Sequence, residues 1–262
     1  MTFLVVLMAL SLGGAFVSGL VGVGGAVVMI PLLLYVPPLV GVGRLDVKTV
    51  TAVTMVQVFV AAVSAVLVHR RRRAVRTDLA ILGGLAMAAG SLTGAVASKY
   101  TGDRLLLLIF GLMTLAALAL LFVPTETVGQ PIFAERVEFN RPKAATLCGG
   151  VGLVAGLVGA GGAFLLVPLL IVVVGLPIRV TIGSSLAITA LAATGGVAGK
   201  VLTGQVPLSA TLAVLVGAVP GAQLGALLSR RLTGSGLRRV LFLVVLGSAA
   251  RVWWDLLVPA VE

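Results

Sequence analysis

Gly19-Leu20-Val21-Gly22-Val23-Gly24-Gly25 recurs as Gly156-Leu157-Val158-Gly159-Ala160-Gly161-Gly162, and this repeated phrase decides the fold. Each copy sits inside a long uncharged stretch, residues 2–43 and 144–178, and each is followed at the same distance by a proline, Pro31 and Pro168. A helix loses roughly 1 kcal/mol for each Gly that stands in place of Ala, so a cluster of them marks broken or closely approached backbone. At membrane depth, opened backbone is tolerated only where protein buries it or where it lines a cavity.

Composition places the phrase in a membrane. Hydrophobic residues make up 60% of the chain and charged residues only 10%, which leaves no stretch for a soluble domain. Apolar segments fall at about 3–35, 46–68, 79–98, 105–123, 144–174, 180–199, 208–228 and 237–258, each long enough for roughly 30 Å of hydrocarbon. No Lys or Arg precedes the first of them, so a retained first segment is expected rather than a cleaved signal. One cysteine, Cys148, excludes an internal disulfide and a cysteine-cluster metal site, and it reads as a packing residue. The net charge of +11 comes from clusters at segment ends, such as Arg70 to Arg73 and Arg238-Arg239, where loop sidedness and lipid headgroups explain it. Nucleic acid is therefore not an expected partner.

The two halves align. An offset of 137 holds through the glycines and Pro31/Pro168, and one of 131 from Lys48/Arg179 onward, the longer loop at 36–43 of the first half making the difference. Gly90, Gly94 and Ser98 then match Gly221, Gly225 and Ser229, small residues at four-residue spacing that form close-packing helix seams. Residues 1–123 read as a first transmembrane repeat, 124–143 as a polar linker and 144–262 as a second repeat. Internal repeats of this kind are typical of transporters.

Loop charge selects a topology. If every apolar segment crossed once, Lys and Arg would divide almost evenly between the two sides. If 3–43 and 144–178 each fold back at their glycines, one side gathers 13 of these residues against 6 on the other, as cytoplasmic loops require. A continuous helix of 33 residues would also be about 50 Å long, well beyond the hydrocarbon. The expected fold is an all-α polytopic membrane protein of two inverted repeats. Each repeat is a Gly-broken re-entrant hairpin or pair of short helices followed by three transmembrane helices. Both termini lie outside, and the loops at 70–76 and 230–239 are cytoplasmic.

Chemistry has few places to sit. The sequence has no HExxH, no Ser/His/Asp set and no paired carboxylates at helical spacing, so neither an enzyme nor a metal or other cofactor is expected. His69 reads as an interfacial residue, and Arg251 with Asp255 as an ion pair at the membrane interface near Trp253 and Trp254. What remains is polar without charge. The substrate-binding candidates are the amides of Gly22, Gly24, Gly25, Gly159, Gly161 and Gly162, with Thr51, Thr54 and Gln57 in the first half and Ser184, Ser185 and Thr189 in the second. A broken helix offers unpaired N–H groups and a positive dipole end, which can hold an anion without a buried cation, and neighbouring hydroxyls can complete the shell. Gly, Ser and Thr also serve packing, so each residue has a bland alternative. Lys48 and Arg179 occupy equivalent places and can steer anions to the two mouths, or anchor helix ends.

Two copies of GLVGxGG, each followed by a hydrophobic run and a proline, resemble the TauE/SafE sulfite exporter family. Gly183-Ser184-Ser185-Leu186 is similar to that family's Gly-Thr-Ser-Leu element, whereas the first half departs from it with Ala52-Val53-Thr54-Met55, leaving Thr54 as the hydroxyl carried over. The resemblance implies a multi-pass permease of the bacterial inner membrane that moves sulfite or small organosulfonates such as sulfoacetate out of the cytoplasm. The partners expected are that small anion and membrane lipid, with a homodimer left open. An anion channel and a non-transporting membrane scaffold are the competing readings.

Overall fold

The computed structural model describes residues 2–21, 25–69, 76–122, 139–176, 178–229 and 234–258. These form ten α-helices: α1 (Thr2–Val21), α2 (Ala26–Leu39), α3 (Val47–His69), α4 (Thr77–Ala97), α5 (Asp103–Phe122), α6 (Arg141–Val158), α7 (Ala163–Val172), α8 (Ile178–Leu202), α9 (Leu208–Ser229) and α10 (Gly234–Leu257). Among them α1, α3, α4, α5, α8 and α9 each contain a stretch long and apolar enough to cross a membrane, while α2 and α7 are shorter apolar helices. Leu85, Leu112 and Leu243 face outward, and with six helices long and apolar enough to span, the molecule is an all-α polytopic membrane protein.

Both glycine clusters break their helices. Gly25 and Gly162 start α2 and α7 with φ of 78° and 70°, left-handed backbone that a side chain strains. Each long uncharged stretch is therefore two helices and not one, which accounts for ten helices where eight apolar segments were read. In the first pair α2 folds back along α1, because Met29 and Leu32 both pack on Gly14 while Gly25 lies beside Ser18. The linker ends earlier than expected: Asn140 caps α6, its side chain accepting the Lys143 N–H at 3.1 Å, so 141–143 are already helical. Residues 124–138 of the linker lie outside the described residues.

Small residues set which helices meet. Gly217 rests on Met8 and Ser11, Gly221 on Leu12, and Gly225 on Phe16 and Leu20, so α9 runs parallel to α1 at backbone contact distance. Gly90 meets Gly149 and Leu153, and Gly94 meets Leu153 and Leu157, so α4 runs parallel to α6. The glycines of the expected seams pack so, and each seam joins one half to the first helix of the other, whereas Ser98 turns to Lys200 and Gln205 and the side chain of Ser229 lies outside the described residues. Gly195 on Ala88 and Gly199 on Leu92 and Ala95 lay α8 parallel to α4. In contrast, Gly196 faces Met55 and Lys200 reaches Thr51, so α3 and α8 run antiparallel at the centre.

Outer helices hold the short ones. Phe110 of α5 and Phe164 of α7 meet edge to face at 6.3 Å between ring centres. Pro31 has no N–H, which frees the carbonyl of Val27 four residues earlier, and Ser248 of α10 donates to that carbonyl at 2.6 Å. Arg251 and Asp255 do pair, at 3.8 Å, but the Arg251 guanidinium also lies 3.9 Å over the ring of Tyr35 in α2. Cys148 is buried against Gly83, a packing residue as read.

Candidate functional site

The antiparallel pair α3 and α8 carries the polar residues, and both glycine tips press against it. Gly25 lies beside Gln57, near the middle of α3, and a Cβ built there would stand 3.2 Å from Gln57 Nε2. Gly161 fits between Val58 of α3 and Thr189 of α8, where any side chain would collide with Val58. Gly159 sits on the Thr51 carbonyl with no room for a Cβ. Tips from both halves thus converge on one region of the α3/α8 seam.

At that region the hydrogen-bond ledger is open. Thr54 Oγ1, both amide atoms of Gln57, and Thr189 Oγ1 are buried without a hydrogen-bond partner, and so is Ser91 Oγ on α4. Helical threonines usually donate to a carbonyl three or four residues back, as Thr93, Thr114 and Thr194 do here. An unsatisfied buried polar group costs about 1–3 kcal/mol, so these side chains are candidates to meet a polar ligand or water. Neither Gly25 nor Gly162 supplies a side-chain cap, and the first N–H groups of α2 and α7 have no carbonyl within their helices. Hydroxyls, an amide side chain and a helix start can hold an anion without a charge at its centre, although Gly162 itself packs on Met87, Ala155 and Val151.

Not every residue singled out in the sequence lies there. Ser184 is buried near the start of α8, where its Oγ accepts the Arg76 N–H at 3.1 Å. It stands at the end of α8 opposite Lys200, about 24 Å away along the helix. Ser185 is buried one residue further. Thr51 donates to its own Lys48 carbonyl at 2.8 Å and accepts from Lys200. Lys48 does not point down the seam, since its Nζ donates to the Lys99 carbonyl at 2.8 Å. Gly22, Gly24 and the side chain of Arg179 lie outside the described residues.

Two residues of consequence escaped the sequence reading. Ser91 occupies a glycine-rich seam and resembles any other packing serine. Lys200 follows an apolar run and precedes the Thr203-Gly204 turn, so it reads as a loop charge, yet it is fully buried. The one available signal was its position four residues after Gly196 and one after Gly199, on the face that α8 turns toward α3 and α4.

The sulfite exporter TauE/SafE family model matches residues 6–252. The chain belongs to that family. A protein of Xylella fastidiosa (strain Temecula1 / ATCC 700964), named "Probable membrane transporter protein", is 30% identical over 97% of both chains. "Probable membrane transporter protein YunE" of Bacillus subtilis (strain 168) is 24% identical over 87% of this chain and 89% of its own. No solved structure matches. Family membership, the relatives' names and the apolar helices make this TauE/SafE member a multi-pass membrane protein and support a membrane transporter rather than an enzyme. Bacterial relatives agree with an inner-membrane location.

Proposed function

We propose that this TauE/SafE protein is a secondary transporter that exports small sulfur-containing anions such as sulfite or sulfoacetate. The anion sits at the α3/α8 seam, and the two halves rock about it in alternating access. The observation that carries this reading is the group of unpartnered buried polar side chains, Thr54, Gln57, Ser91 and Thr189, two of which, Gln57 and Thr189, lie beside Gly25 and Gly161, the tips of the two halves. The family description supplies the sulfur anion, and the absence of charge among these donors suits an anion that must also leave.

Alternating access draws support from helix direction. With α3 antiparallel to α8, this helix of the first half runs opposite to its counterpart in the second. That is the relation expected of inverted repeats, whose exchange of conformations opens one side and then the other. Flux into proteoliposomes tests the reading, with sulfite, sulfoacetate, sulfate, thiosulfate and chloride offered in parallel. Saturable movement of sulfite or sulfoacetate is expected. Steady ohmic current across a planar bilayer would make the protein a channel, and no flux of any anion would leave a membrane scaffold.

A further inference from the structure

Lys200 lies near the end of α8, fully buried, and its Nζ donates to three oxygens. Ser98 Oγ at the end of α4 is 2.6 Å away, Thr51 Oγ1 of α3 is 3.0 Å away, and Gln205 Oε1 in the turn between α8 and α9 is 3.2 Å away. Three N–H bonds meet three acceptors, so the ammonium is satisfied as a donor. Its charge is not. All three acceptors are neutral, the ion pairs among the described residues are Arg76–Asp78 and Arg251–Asp255, and the nearby charge acting on Lys200 is the repelling one of Lys48. A buried lysine with a structural role is ordinarily paired with a carboxylate, because dipoles alone repay its desolvation poorly. Among the described residues this one has no carboxylate partner.

An anion can reach Lys200 only by displacing one acceptor, and chemistry chooses which. The hydroxyls of Thr51 and Ser98 can turn from the Lys48 and Ala95 carbonyls, to which they donate at 2.8 and 2.7 Å, and donate to an oxyanion while staying beside the lysine. Gln205 Oε1 can only accept, so it and the oxyanion repel. Turning its NH2 group inward instead would give up both of its donor contacts, to the Ala95 carbonyl at 3.2 Å and to Thr203 Oγ1 at 2.6 Å. Gln205 also accepts from Ser98 at 3.1 Å, so it straps the turn at 203–207 to the end of α4. Either way, an incoming anion loosens that strap. The route inward is marked as well: Thr51 lies one turn before Thr54 on α3, and a Cβ built at Gly196, one turn before Lys200, would stand 2.7 Å from the unpartnered Ser91 Oγ.

We propose that Lys200 is a charged anion-binding residue at one mouth of the α3/α8 seam, and that a small oxyanion takes the place of Gln205 on its ammonium and so unlatches the 203–207 turn from α4. Loading and opening are then one event at this end. The proposal rests on the reading that an anion travels this seam, and it concerns binding, which can be measured apart from transport.

The test is titration calorimetry of the full chain in detergent with sodium sulfite, sulfate and thiosulfate, together with hydrogen exchange of the 203–207 amides. The parent should bind at least one of these anions. Lys200→Met should weaken that binding by about tenfold or more, since a charge-assisted contact is lost. Gln205→Leu should tighten it severalfold, because a competing acceptor is gone. The anion should speed exchange at 203–207 in the parent and not in Lys200→Met, while Gln205→Leu should exchange fast without it. Melting of anion-free Lys200→Met at or above the parent temperature shows that the fold survives removal of a buried charge. The proposal is overturned if no anion binds the parent, if Lys200→Met binds as the parent does, or if Gln205→Leu weakens binding as much as Lys200→Met. Flux separates the two claims: anion bound through Lys200 but never moved refutes transport alone, and transport with full affinity in Lys200→Met refutes this inference alone.

Discussion

Gly159 stands directly against the carbonyl of Thr51, so the end of α6 in one half is seated on the first turns of α3 in the other with no space for a single methyl group. Backbone lies on backbone there, and backbone cannot step aside as a side chain can.

That contact predicts unequal costs for two glycines of similar conformation. Gly159 has φ 71° and Gly175 has φ 77°, but nothing lies within 4 Å of a Cβ built at Gly175. Gly175→Ala should cost only the left-handed backbone penalty, roughly 1–2 kcal/mol. Gly159→Ala should add a backbone clash and lower the melting temperature in detergent by considerably more. Equal melting shifts would show that the tip is not seated on α3.

Replacing the unpartnered polar groups with apolar groups of similar shape should uncouple stability from binding. Thr54→Val, Gln57→Leu and Thr189→Val each remove a group that now costs about 1–3 kcal/mol to bury unsatisfied, so each variant should melt at or above the parent. Each should also bind and move sulfite less well, by roughly ten- to a hundredfold for a lost contact to a charged ligand. Variants that melt lower while transporting normally would mean that these side chains serve packing.

Ser248 and Pro31 should be energetically coupled. In the parent, Ser248→Ala leaves the Val27 carbonyl without its donor and should cost about 1 kcal/mol. In a Pro31→Ala background the helix supplies its own N–H to that carbonyl, and the same serine substitution should cost close to nothing. A double-mutant cycle on thermal unfolding measures the difference. Additive costs would remove Pro31 from the account.

Sidedness is open to cysteine labelling in a Cys148→Ser background. Tyr100 is exposed in the turn between α4 and α5, at the same end of α4 as Ser98 and Lys200, and Arg76 starts that helix at the other end. Tyr100→Cys should react with an impermeant thiol reagent in intact cells, whereas Ala74→Cys and Ser235→Cys should be shielded on the cytoplasmic side. Labelling of all three would remove the charge-based topology.

Run length and composition alone were enough to find apolar segments, and the doubled glycine phrase was enough to break two of them, because both are local properties of a chain in a low-dielectric solvent. The same locality made the backbone breaks at Gly25 and Gly162 legible: a repeated break before a proline is visible without knowing what it touches. Partnership was not legible. That α9 lies on α1 and α4 on α6 depends on which small-residue faces meet, and many faces in this chain carry glycine. Ser91 illustrates the limit, since its missing partner exists only as a relation among α4, α8 and the carbonyls around it. Lys200 shows it most clearly. Next to a Thr-Gly turn the sequence reads a solvated loop charge, and only the packing of α3 and α4 on the end of α8 turns that charge inward, because burial belongs to the assembled helices and not to the residue.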